Sequence, residues 1–256
     1  MGASAPATPA PAAAEPAAAA APAPCPNPWF PLEEGLKLSY RAGRSELHIS
    51  TRGIQPTPDG AGLKGTVEVN IKNRQGSTEA TCGADGVKTG LGGLEGTLLS
   101  ASGLDVEVVA ADGVAVPPPA RMVKGGSWKN SLSIKMRPPE KAKLGGMRPV
   151  ISTTFDKEST VEGEEEVTVA AGTFKALRVK NRTTARSSNR AGADPGRSIE
   201  SILWFAPGVG LVKIQTGNSV DLELVRVERP AAAAQAAPVG KKSRKRPTAA
   251  QQAPAL

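Results

Sequence analysis

The sequence predicts an all-β protein: one antiparallel domain over residues 28–229, set between two disordered tails. Three observations carry this. Apolar residues alternate in period two along most of the middle of the chain, and turn-forming residues interrupt them at hairpin spacing. Of the two ends, residues 1–27 are nearly all Ala and Pro, and residues 230–256 are Ala-rich with Pro, Gln and a basic run. Such ends cannot bury enough apolar surface to offset the entropy of ordering them.

The first strand is written by Leu36, Leu38 and Tyr40 on one parity. Ala42-Gly43 turns the chain into Leu47 and Ile49, and a turn-rich loop over 55–60 follows. Val67, Val69 and Ile71 then alternate with Thr66, Glu68 and Asn70, and 73–76 reads as the next turn. Residues 82–103 are Gly-rich and predict short, irregular strands. Val106 and Val108 resume alternation before an Asp112-Gly113 turn, and Pro117-Pro118-Pro119 reads as an extended linker.

Trp128, Leu132, Ile134 and Met136 share one parity, the pattern of a half-buried strand. After a loop over 138–149, Ile151, Thr153 and Phe155 open a long strand. Val167 and Val169 lead into an Ala170-Ala171-Gly172 turn, Leu177 and Val179 continue the next strand, and 186–197 reads as a hairpin loop. Residues 199–205 are apolar on both parities and predict burial on both faces. Ala206-Pro207-Gly208 and Gly217-Asn218 are turns. In the last strand the apolar phase moves from Val220, Leu222 and Leu224 to Val225 and Val227, which predicts a bulge. Ten to twelve strands at this spacing, with no helical pattern between them, describe a meander, barrel or sandwich.

The composition restricts chemistry further. Aromatic residues make up only 3% of the chain, so Val, Leu and Ile must supply the core. The formal net charge is +8, but Lys241, Lys242, Arg244, Lys245 and Arg246 account for five of those charges, leaving +3 elsewhere. That run has no interleaved aromatics for base stacking, so a specific nucleic-acid partner is not expected. No apolar run reaches the length of a transmembrane helix. No secretory signal is legible either: the N-terminal stretch lacks Lys and Arg, and Pro24 before Cys25 does not suit a lipoprotein cleavage site.

Candidate sites are few. Cys25 and Cys82 have no metal or redox spacing, and two readings stay open: one disulfide, or two free thiols. His48 is the only histidine and lies on the parity opposite Leu47 and Ile49, facing solvent, which argues against a His triad or multi-His metal site. Glu162, Glu164, Glu165 and Glu166 beside Gly163 read as a solvated hairpin tip. The glycines at 90, 92, 93 and 96 lack the Gly-Lys-Ser/Thr ending of a phosphate loop. Gly172, Pro207, Gly208 and Gly210 are read as structural turn-makers. No catalytic residue, cofactor or metal is expected.

Four segments, in order, carry a resemblance: Phe30-Pro31-Leu32 with Gly35, Leu38 and Tyr40; Val123-Lys124-Gly125-Gly126-Ser127-Trp128; Val167 to Phe174 with Leu177 and Val179; and Trp204 to Lys213 followed by Leu222-Glu223-Leu224-Val225. They resemble the TapB-like family of bacterial cell-envelope proteins, itself similar to the LolA and LolB lipoprotein carriers. Ala170 stands where the family pattern has Pro. The resemblance implies a strongly curved antiparallel sheet, a half-barrel or open barrel. It also implies a non-enzymatic envelope protein, periplasmic or outer-membrane-associated, that binds a lipid or other hydrophobic ligand. The alternative is a structural module that docks on another envelope protein.

Overall fold

The computed structural model describes residues 25, 27–93, 96–97, 99, 101, 104–137, 149–189, 192–193 and 196–230. Apart from Cys25, Asn27 and Pro230, the expected tails lie outside them, as do the basic run near the C-terminus and most of the 138–149 loop. Within them the alternating segments form β1 (Lys37–Ala42), β2 (Ser45–Pro56), β3 (Leu63–Ile71), β4 (Arg74–Gly83), β5 (Gly86–Thr89), β6 (Asp105–Gly113), β7 (Ser127–Arg137), β8 (Ile151–Val169), β9 (Gly172–Asn189), β10 (Gly192–Ala193), β11 (Arg197–Ala206), β12 (Gly210–Thr216) and β13 (Ser219–Glu228). A 3-10 turn, Pro119–Arg121, begins at the last residue of the triple proline.

All thirteen strands belong to one antiparallel sheet in the order β5-β4-β3-β2-β1-β13-β12-β11-β9-β8-β7-β6, with β10 added beside β9. The sheet curls until its two edges meet. Val87 on β5 donates its backbone N–H to the Val116 carbonyl at 2.8 Å, and Ala115 donates back to Val87 at 2.8 Å. The chain just beyond β6 is thereby stitched to β5, and the curved sheet becomes a nearly closed barrel. Bulges supply local bending. One is the expected break in β13, where Ser39 faces Arg226 but Tyr40 faces Leu224.

In most strands one parity fills the interior. Tyr40, Leu47, Val69, Ile134, Val161, Val179 and Leu224 are all but fully buried. The phenol of Tyr40 donates to the Leu211 carbonyl at 2.8 Å, and its burial pushes the pKa well above the ordinary tyrosine value.

One end of the barrel is sealed by the segment before β1. A disulfide joins Cys25 to Cys82 on β4. Asn27 Nδ2 donates to the Pro117 carbonyl at 2.8 Å, and the Pro28 carbonyl accepts from Gly208 N at 2.7 Å. Leu32 and Leu36 are buried behind this strap. At the opposite end lie the β1–β2, β3–β4 and β12–β13 turns.

The longest hairpin, β8–β9, runs past the barrel wall. A register shift between Val161 and Gly163 bends it. Its tip then reaches β13, where Ala171 N donates to the Leu224 carbonyl at 3.1 Å and Ala170 N to Glu223 Oε1 at 2.9 Å. The acidic residues sit at this bend, not at the tip. Arg178 pairs with Glu162, and Lys175 with Glu164. Glu165 Oε1 accepts from Trp204 Nε1 at 2.5 Å. The cluster is thus largely exposed, as expected, but it lies on the strand and Glu162 and Glu164 make cross-strand ion pairs.

Other expectations are corrected in detail. The turn expected over 73–76 is Lys72-Asn73, and β4 already runs from Arg74. The structure holds thirteen strands, because the Gly-rich stretch contributes β5 and the polar stretch after β9 contributes β10. The strand around Val106 and Val108 is exposed on both faces, since β6 ends the sheet and nothing described covers it. Burial on both faces of β11 holds only over residues 203–206, while Ile199 is 58% exposed.

Candidate functional site

The interior is not uniformly filled. At the sealed end a cavity of about 90 Å³ lies between Phe30, Pro31, Leu36, Tyr40, Ile49, Val67, Trp128, Ser159, Asn181, Leu203, Phe205 and Leu211. Beside it is a second cavity of about 230 Å³, walled by Leu91, Gly92, Leu99, Asn130, Leu132 and Phe155. Lys157 of β8 borders both. At the other end the barrel opens into a cavity of about 800 Å³. Its walls carry Ala42, Leu47, Ile71, Ile199, Ile214 and Leu222, and its rim carries Lys72, Arg74 and Asp221. Thr183 of β9 separates the second cavity from this mouth.

Ligand sites in proteins generally occupy roughly 300–1,000 Å³. Only the mouth is of that size; the innermost cavity accommodates a small group at most. The Gly-rich stretch explains the difference. Gly93 and Thr97 border the inner cavity, Gly92, Gly96 and Leu99 the middle one, and Ala101 the mouth. The segment thus runs down the barrel as an internal filler. Asn130 Nδ2 ties it to β7 by donating to the Gly92 carbonyl at 3.0 Å. A Cβ at Gly92 would stand 3.3 Å from Leu132 Cβ, so this glycine serves close packing against β7.

The mouth has one strained residue. Lys72, first in the two-residue turn between β3 and β4, has φ 53°, a left-handed conformation normally left to Gly or Asn. Periodicity in the sequence could not show this. A Lys where a hairpin turn favours Gly or Asn was the available signal.

The remaining residues singled out from the sequence do not converge on a reactive centre. His48 is exposed on β2, with Nδ1 3.0 Å from Ser39 Oγ and Nε2 3.8 Å from Glu46. Cys25 and Cys82 are consumed in the disulfide. Gly172 (φ 136°) follows the β8–β9 tip, and Pro207 and Gly208 (φ 73°) turn β11 into β12. Gly210 (φ 90°) lets the strap approach closely, because a Cβ there would lie 3.3 Å from Pro31 Cδ. Among the described residues no three His, Cys, Asp or Glu side chains gather as a metal site, and no helix is long and apolar enough to cross a membrane.

Comparison with known proteins gives a family and a fold. The family model described as DUF3108-like matches residues 75–221. No curated protein matches the chain. Among solved structures, a candidate exported protein with a YmcC-like fold from Bacteroides fragilis is similar at TM-score 0.55 and 15% identity, over 78% of this chain and 99% of that one. A candidate lipoprotein from Parabacteroides distasonis is similar at TM-score 0.47 and 15% identity, over 79% and 99%.

Proposed function

We propose that this chain, which belongs to the DUF3108-like family, is a non-enzymatic binding module of the bacterial envelope whose mouth holds the hydrocarbon part of an amphiphile. The observation that carries this reading is the mouth cavity of about 800 Å³, with aliphatic residues interspersed with Ser and Thr on its walls and Lys72 and Arg74 outnumbering Asp221 at its rim. Aliphatic walls favour burial of alkyl groups at about 25 cal/mol per Å². A cationic rim favours an anionic or polar head that stays in water. The resemblance of the four sequence segments to the TapB-like family, itself similar to lipoprotein carriers, supports the same class of ligand.

Titration with a fluorescent fatty acid tests this, with native mass spectrometry of protein purified gently from a bacterial envelope. Saturable binding that weakens at least fivefold in Ile199→Asp supports the mouth site. If no lipid co-purifies and none binds, the reading fails.

A second reading, an interaction module of the envelope, is favoured by β6. This strand ends the sheet with Val108 and Val109 exposed at 40% and 55%. Crosslinked pull-down with wild type and with Val109→Lys tests it, and a set of crosslinked proteins identical in the two would count against it.

A further inference from the structure

Trp128 on β7, Ser159 on β8 and Asn181 on β9 stand directly opposite one another across three neighbouring strands. All three border the inner cavity of about 90 Å³. Trp128 is 5% exposed and Asn181 2%. The indole Nε1 of Trp128 and the amide Oδ1 of Asn181 have no hydrogen-bond partner among the described residues. Three threonines around the same cavity have spent their hydroxyls on the backbone. Thr51 donates to the Glu33 carbonyl, Thr97 donates to the Gly93 carbonyl at 2.9 Å, and Thr89 Oγ1 accepts from Gly93 N at 2.6 Å.

Leaving a buried donor and a buried acceptor unsatisfied is more costly than a made bond is favourable. Natural cores therefore keep such a pair when something else completes it. The two atoms define what that is. Trp128 Nε1–H can only donate, and Asn181 Oδ1 can only accept. An ionised carboxylate would satisfy the indole but not the amide oxygen. An ammonium would satisfy the amide oxygen but not the indole. A hydroxyl satisfies both, because its oxygen accepts from the indole and its O–H donates to the amide. The cavity has room for such a group.

We propose that the inner cavity is a hydroxyl-binding site between Trp128 and Asn181. The hydroxyl comes either from trapped water or from the polar end of an alkanol-like amphiphile that enters head first. The second source rests on the mouth-cavity reading for its entrance but takes the amphiphile in the opposite orientation, polar end inward; the first source does not rest on it.

Nuclear magnetic resonance on the full chain, labelled with nitrogen-15, tests this. The Trp128 indole signal is assigned by its loss in Trp128→Phe. A cross-peak between that proton and long-lived water in the ligand-free protein identifies the first source. Titration with 1-decanol, decane and decanoate identifies the second. The Trp128 signal then moves with decanol and not with decane, decanoate binds more weakly than decanol, and Asn181→Leu weakens decanol binding about tenfold while leaving decane unchanged. If Asn181→Leu does not fold, Trp128→Phe serves, since it removes the donor and keeps a ring. A water cross-peak with no binding of any of the three probes leaves the hydroxyl site standing and removes the mouth reading. An indole signal at its unbonded position, with no water cross-peak and with decane and decanol bound alike, overturns the proposal.

Discussion

At the sealed end of the barrel the chain is held by a disulfide from Cys25 to Cys82, by Asn27 on the Pro117 carbonyl, and by the edge-to-edge bridge between Val87 and Val116. At the mouth the described connections include the two-residue β1–β2, β3–β4 and β12–β13 turns, one of them strained at Lys72, around a cavity of about 800 Å³. Both ends are built from the same strands, so sheet propensity does not separate them. The difference lies in what fills the lumen. Side chains of the strap crowd one end, while at the other Leu47, Ile214 and Leu222 line an open lumen and Ile199 is exposed at its edge. Binding surfaces are drawn from the less secured parts of a structure. The contrast predicts that substitutions at the sealed end cost stability and substitutions at the mouth cost binding.

The strongest test removes the disulfide. Replacing Cys25 and Cys82 together by Ala should lower unfolding stability by about 2–4 kcal/mol, because the bond closes a long loop. Denaturant titration measures it, and an unchanged midpoint would erase the contrast. Next is the edge bridge. Gly86 has φ 113°, and a Cβ there would lie 2.5 Å from the Val116 carbonyl oxygen. Gly86→Ala should therefore cost about 1–3 kcal/mol and open the β5 edge, read as faster amide exchange at Val87.

Tyr40→Phe should cost about 1–2 kcal/mol by leaving the Leu211 carbonyl without the phenol. It also has a pH signature. Burial raises the folded-state pKa of Tyr40 above its unfolded value of about 10. The stability that goes with the neutral phenol is fully present below about pH 10 and is lost as pH rises toward the folded value. Wild type should therefore weaken more steeply above about pH 10 than Tyr40→Phe does. Parallel alkaline unfolding curves for the two would sink this assignment.

The smallest expected effect on stability is at the mouth. Lys72→Gly relieves the left-handed strain but loosens the unfolded chain, so stability should move by no more than about 0.5 kcal/mol. Affinity for an anionic amphiphile should fall about two- to fivefold with the lost rim charge, measured by calorimetry at low and high salt.

Much of the fold is legible in the residues, because a barrel strand alternates inward and outward. Trp128, Leu132 and Ile134 point inward as their parity requires, and the phase change after Leu224 is a bulge. Lumen content is harder to read. Nothing local distinguishes Gly92 as a packing glycine from a loop glycine, since the deciding neighbour, Leu132, is distant in sequence. The same holds for Asn181, which reads as a polar residue in a strand. Only its register opposite Ser159 and Trp128 places it in the cavity. The acidic cluster looked like a hairpin tip because its partners, Arg178 and Lys175, lie on the returning strand.

The pairing of β1 with β13 also governs how the molecule comes into being. Leu38 faces Val227, so two strands from opposite ends of the domain are neighbours near the middle of the sheet. A chain emerging from its N-terminus forms the β1–β2–β3–β4 meander early, yet β1 keeps one bare edge until the final strand arrives. Contacts of such long separation form slowly, and a bare edge is an invitation to the wrong partner. Assembly is thus a wait for the last ten-residue strand, Ser219–Glu228, and truncation there should leave a sticky open sheet in place of a slightly smaller barrel.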